Sequence, residues 1–121
     1  MLTPEGASRA DELIAATRRL ERELATQLAP LGLTVDSWRV LRLVAAEPGR
    51  TMSELTESVV VPPATTTRLV DALVAAALVH RKPAADDRRS VVVHPAAAGL
   101  ALLVRAEEVA ADALSVIAAR A

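Results

Sequence analysis

Two consecutive prolines, Pro62-Pro63, stand between two stretches of helical periodicity and restrict this chain more than any other feature. Proline lacks the amide a helix interior needs, yet its fixed φ suits the first turn of a new helix. One short helix is therefore expected to end at the pair and a second to begin there. Ahead of the prolines, Met52, Leu55 and Val59 recur at helical spacing behind Thr51 and Ser53, residue types that cap helix starts. Beyond them, Thr66, Leu69, Val70, Leu73 and Ala77 mark the inner face of a helix running from Pro62 or Pro63 through Ala76. Ala64, Thr65, Arg68, Asp71 and Ala72 then point outward, with small and hydroxyl side chains at the N-terminal end, where a helix can approach a phosphate backbone closely. Downstream, Leu78-Val79-His80-Arg81-Lys82 and Ser90-Val91-Val92-Val93-His94 flank the tip Pro83-Ala84-Ala85-Asp86-Asp87-Arg88-Arg89, a two-stranded hairpin pattern. Two helices on a tight turn followed by such a hairpin read as a helix-turn-helix with a wing.

The rest of the chain reads as scaffolding for this head. Ser8 is placed to cap a helix whose positions Leu13, Thr17, Leu20, Leu24, Leu28 and Leu31 step by three or four residues and which ends at Pro30 and Gly32. Its charges at Arg18, Arg19, Glu21, Arg22 and Glu23 read as a solvated face. Thr34 or Asp36 caps the next helix, carrying Val35, Trp38, Val40, Leu41 and Val44 and stopping at Glu47-Pro48-Gly49. From Pro95 to Ala121 no turn signal follows Gly99, and Leu103, Ala106, Ala110, Ala113 or Leu114, and Ile117 continue one long helix. The expected fold is mainly α with a small β-hairpin: one domain of 121 residues, its winged head at 33–94 between end helices at 8–31 and 95–121.

With no Phe or Tyr and a single Trp, the core must be built from Leu, Val, Ile and Ala. An apolar share of 52% is a little high for so small a monomer. It points to a subunit interface, with Leu13, Leu20, Leu24 and Leu28 on one end helix and Leu103, Ala110, Leu114 and Ile117 on the other as candidates for a homodimer contact. Net charge is −1, unlike the strongly basic balance common in nucleic-acid binders. Its distribution is uneven: residues 62–94 carry five basic and three acidic side chains, whereas residues 1–61 carry seven and nine. The one positive segment is the head's reading end.

Several chemistries are set aside. Without cysteine there are no disulfides or thiolate metal sites. His80 and His94 are the only histidines and could meet across the hairpin, but no third ligand clusters with them, so no metal and no cofactor is expected. Asp86-Asp87 beside two arginines is better placed to orient them, with Asp87 paired to Arg89, than to perform acid–base catalysis. The four glycines form no phosphate loop, so an enzyme is not expected. No apolar run is long enough to span a membrane, and the N-terminus has neither a basic nor an apolar leader, which points to the cytoplasm.

The pieces Leu33-Thr34, Trp38-Arg39-Val40-Leu41, Met52-Ser53-Glu54-Leu55, Thr67-Arg68-Leu69-Val70-Asp71, Leu78-Val79-His80-Arg81, Asp87-Arg88-Arg89 and Gly99, in this order, resemble the multiple antibiotic resistance regulator (MarR) family of winged-helix transcription factors over roughly Leu31 to Leu103. The resemblance implies a sequence-specific regulator, a repressor of transcription, that binds palindromic double-stranded DNA as a homodimer. Ala64, Thr65, Thr67 and Arg68 would enter the major groove, Arg68 reading a base edge. Ser53, Pro63, Arg81 and Asp87 would support the contact, and Arg88 and Arg89 would reach the adjacent minor groove or its phosphates. Relatives release DNA on binding small, often aromatic or phenolic, anions between the dimer helices and the head. Trp38 has two readings in that frame: a wedge between the N-terminal helix and the head, which is preferred, or a wall of the effector pocket. Arg39 and Arg42 read as surface or interhelix charges. The lack of cysteine removes the peroxide sensing that some relatives use.

This sequence departs from the family in three places. Ala77 stands where relatives carry a glycine in left-handed conformation, so either alanine is strained or the helix ends differently. Pro95-Ala96 replaces a Leu-Thr pair whose Thr caps the last helix. Thr66 occupies a usually aliphatic position, its hydroxyl expected to bond back to the preceding turn. The competing function is a winged helix that docks proteins without specific DNA affinity, which the low net charge favours. Such a wing has no need of Asp87-Arg88-Arg89.

Overall fold

The computed structural model describes residues 1 and 3–120. The first helix, α1, spans Pro4–Leu28 and begins earlier than Ser8. Thr3 is the cap, its Oγ1 accepting from the Gly6 amide at 3.0 Å, with Pro4 in the first turn and Glu5 near the positive end of the dipole. Ser8 lies exposed within the helix. A 3-10 turn at Ala29–Leu31 follows, and Gly32, at φ 75°, turns the chain out.

Thr34, not Asp36, caps α2 (Val35–Ala46) in a reciprocal box with Ser37. Residues Arg50–Thr51 form a short strand, β1, that periodicity does not reveal. Thr51 also caps α3 (Met52–Val59), sharing a capping box with Glu54. This helix stops before the prolines, because Val60 takes the left-handed conformation, φ 62° and ψ 58°. The fourth helix, α4, runs Pro63–Ala75 with Pro62 at its cap. Ala77 falls beyond it, exposed and at φ 59°. Alanine thus adopts the glycine-like conformation instead of ending the helix otherwise, and it leaves the inner face to Thr66, Val70 and Leu73, with Leu69 partly buried.

Strands β2 (Val79–Pro83) and β3 (Val91–Pro95) pair antiparallel, one residue later than the sequence pattern placed them. The sheet has three strands in the order β1-β3-β2, Arg50 facing Val93 and Thr51 facing Val92. Pro95 closes β3 instead of opening the last helix, α5, which spans Ala97–Arg120. Gly99 on α5 is buried against β2's approach: a Cβ there would lie 2.0 Å from the Leu78 carbonyl oxygen, which already accepts from the Ala96 amide at 2.9 Å.

One aliphatic core joins Leu28, Val40, Leu41, Val44, Leu55, Val59, Val70, Leu73 and Val93, all essentially inaccessible. Helices α1 and α5 pack on each other within the chain, burying Leu24, Leu28, Ala106 and Ala113. Leu24 and Leu28, expected at a subunit interface, therefore serve the chain's own core. Leu20, Leu103 and Ala110 are partly buried against that same core, and Ile117 is half-buried. Of the expected interface residues, Leu13 and Leu114 remain open, at 69% and 57%, accompanied by Ile14, Leu100 and Val104. Among the described residues no helix is long and apolar enough to cross a membrane.

Candidate nucleic-acid interface

The α3–α4 pair is held from inside by two threonines. Thr66 is fully buried, and its hydroxyl meets that of Thr56 at 2.8 Å, while Thr56 Oγ1 also reaches the Met52 carbonyl at 2.9 Å. The expected bond from Thr66 to its own preceding turn is replaced by one across to α3. A buried hydroxyl needs such a partner, and this one fixes how far α4 sits from α3.

Outside, α4 presents Pro63, Ala64, Thr67 and Arg68 to solvent, with Thr65 half-exposed. No side chain caps this helix and no acid lies in its first turn, so its positive end is open to a phosphate. Thr67 Oγ1 returns to the Pro63 carbonyl at 3.2 Å, and Arg68 Nη2 rests on Thr65 Oγ1 at 3.3 Å. Neither contact holds the guanidinium against displacement by a base edge. Ser53 is exposed in the first turn of α3.

Asp87 shapes the wing tip differently from expectation. Its Oδ1 accepts from the Arg89 backbone amide at 3.0 Å, its Oδ2 lies 3.4 Å from Ser90 Oγ, and its carbonyl accepts the Ser90 amide. The expected ion pair with the Arg89 side chain is not formed, because a carboxylate two residues back reaches the turn amide first. Arg88 and Arg89 are exposed and make no ion pair among the described residues. Arg81 is engaged: Nη2 binds Asp71 Oδ1, tying strand β2 to the outer face of α4. Asp71 was legible only as an outward residue; its partner ten positions on is visible once the strand folds back. His80 and His94 do meet across the hairpin, in register and stacked with ring centroids 5.9 Å apart, and no cluster of three or more His, Cys, Asp or Glu side chains gathers among the described residues.

A second feature lies between the head and the end helices. A cavity of about 790 Å³ opens between α1, α2, α5 and the end of α3, lined by Leu24, Trp38, Arg39, Arg42, Val59 and Leu114 among others. Trp38 thus both packs against the core and forms a cavity wall, and its indole Nε1 is buried with no hydrogen-bond partner. Arg42 bridges to Glu107 at 2.8 Å, and Arg39 Nη1 is shared between Asp36 at 3.2 Å and the Val59 carbonyl at 2.8 Å. Arg39, read from the sequence as a surface or interhelix charge, does link two helices, but through a backbone carbonyl that periodicity could not name.

An open reading helix seated on α3, beside a hairpin with free guanidiniums, belongs to a winged-helix DNA-binding transcription regulator. A sequence profile of the MarR family matches residues 31–90. The MarR family protein Rv2887 of Mycobacterium tuberculosis, solved in complex with salicylic acid, is 31% identical; the match covers 90% of this chain and 81% of that one, TM-score 0.77. The transcriptional regulator BldR from Sulfolobus solfataricus is 25% identical, over 97% of this chain and 84% of that one, TM-score 0.88. A cysteine-to-serine mutant of MarR from E. coli, solved with operator DNA, is 25% identical over 89% and 78%, TM-score 0.81. No curated protein sequence matches significantly. The chain belongs to the MarR family.

Proposed function

We propose that this regulator is a homodimeric repressor that reads a palindromic operator in double-stranded DNA, acts in the cytoplasm and is released by a small aromatic or phenolic anion. The observation that carries the DNA reading is the unobstructed N-terminal half of α4, with Arg68 as its one long cation and no acid in its first turn. Ala64, Thr65 and Thr67 are small enough to let the helix settle into a major groove, where Arg68 meets a base edge, most favourably guanine. Arg88 and Arg89 extend to the neighbouring minor groove. Ser53 and Pro63 lie beside the phosphates, with the wing held by Arg81 and Asp87.

The cavity supports the effector reading. It offers an aliphatic wall and two guanidiniums, a set that suits an aromatic carboxylate. Similarity to a relative solved with salicylic acid supports the same class of ligand.

Selection from random duplex DNA at moderate salt tests the first reading: enrichment of a palindrome with half-sites about one turn apart is expected. The alternative, a protein-docking winged helix without specific DNA affinity, is favoured by the net charge of −1. Binding equally weak to all duplexes would select it.

A further inference from the structure

The turn between α3 and α4 contains the most strained residue of the head. Val60 is β-branched and 82% exposed as a residue, and it sits at φ 62°. A β-branched side chain in the left-handed region is a genuine outlier that persists only where its surroundings impose it. Two bonds anchor the peptide unit between Val59 and Val60, which would have to rotate for Val60 to leave that region. The Val60 amide donates to the Thr56 carbonyl at 3.0 Å, and the carbonyl just before it, on Val59, accepts from Arg39 Nη1 at 2.8 Å. The first is local to α3; the second comes from α2, across the wall of the cavity. Ser58, Val59 and Val60 are themselves cavity-lining residues, so the hinge into α4 forms part of the cavity wall.

We propose that Arg39 is a latch between the cavity and the reading helix. With the cavity empty, its guanidinium holds the Val59 carbonyl and keeps Val60 left-handed, which fixes where α4 begins. An anion in the cavity draws the guanidinium away, and the freed turn relaxes so that α4 no longer fits the groove. The anion need not displace either bond to be held: it takes the nitrogens those bonds leave free and turns the guanidinium toward itself. Arg39's present bonds are one to a neutral carbonyl and one to Asp36 at 3.2 Å, a pair whose side chains are 38% and 42% exposed, and both use Nη1. A carboxylate accepting from two nitrogens of the fork makes two charge-assisted bonds, each stronger than a bond to a carbonyl. Arg42 is less available, since Glu107 holds its Nε at 2.8 Å.

This inference rests on the reading that the cavity takes an anion, and its test separates the two. Sodium salicylate is the probe. Trp38 is the only tryptophan of the chain, so its fluorescence lifetime reports cavity occupancy directly. In the full chain, salicylate is expected to shorten that lifetime and to weaken binding of the selected duplex by at least about tenfold. Arg39→Met is expected to weaken the ligand-free complex about tenfold, to speed amide exchange over residues 59–66, and to reduce the further effect of salicylate below about twofold. Adding Val60→Gly to Arg39→Met supplies a residue that takes the left-handed turn without help, and should restore duplex affinity to within about threefold of the parent and slow exchange again. A merely structural arginine would not be rescued at Val60. Should Arg39→Met fail to fold, Val60→Gly alone decides, because it must reduce the effect of salicylate on duplex binding several-fold. The latch is overturned if Arg39→Met exchanges and binds as the parent does, if the double variant shows no recovery, or if salicylate acts on Val60→Gly as on the parent. A Trp38 lifetime that salicylate leaves unchanged in the parent overturns the anion reading instead, while exchange and rescue in the ligand-free protein still decide whether Arg39 holds the hinge.

Discussion

At residue scale, the structure turns on a few positions where ordinary side chains do unusual work. Ala77 accepts φ 59° just past the end of α4. Replacing it with glycine should raise stability by roughly 0.5–1 kcal/mol, the left-handed cost relieved less the added chain entropy, and lift the melting temperature by a few degrees in calorimetry. The sequence stated this strain as one of two alternatives; only backbone geometry could choose, because a helix can also end without a left-handed residue. Arg68 is the counterpart on the functional side. Its removal to alanine should cost roughly 1–3 kcal/mol on the selected duplex and relax preference at one base pair per half-site. Equal loss on selected and random DNA would show that Arg68 holds only phosphate.

At the scale of elements, the helices of the head were legible because their caps, prolines and apolar spacing act within a few residues. Thr34, Thr51 and Pro63 each stand within one turn of the boundary they set. What escaped was set by partners far along the chain. Strand β1 is two residues long and exists because β3 lies beside it; Arg81's engagement with Asp71 and Arg39's with Val59 likewise need the fold. Two predictions belong here. Asp87→Ala removes a negative charge from a DNA-facing tip, yet it should weaken duplex binding about two- to tenfold, the worth of one or two exposed hydrogen bonds that shape the turn. Tighter binding would mean that charge, not tip geometry, dominates. Arg81→Ala should weaken binding without changing its dependence on salt concentration, because Asp71 already holds that guanidinium; a slope reduced by about one would reveal a phosphate contact.

At the scale of the whole molecule, the α1–α5 packing divides the end helices into an inner seam and an outer face. The seam was readable as apolar spacing, but spacing cannot say whether a leucine meets its own chain or another. Leu24 and Leu28 meet their own; Leu13, Val104 and Leu114 stay largely exposed, apolar positions that a second copy would cover. Leu13→Glu with Val104→Glu should therefore give a monomer in light scattering at micromolar concentration, with affinity for a palindrome falling at least about a hundredfold as two linked contacts become one. A parent chain that is already a tight-binding monomer would contradict this.

Thr51 has a consequence for how such heads can be recombined. The same residue caps α3 through its side chain and extends β3 through its backbone, so the wing's inner edge is built from the segment that starts the helix-turn-helix. A wing transplanted from a relative as the 79–95 hairpin alone would meet an edge strand shaped for a different partner. In chimeras between relatives, the natural unit of exchange is thus discontinuous: the hairpin travels together with Arg50 and Thr51, or its angle to the reading helix is lost.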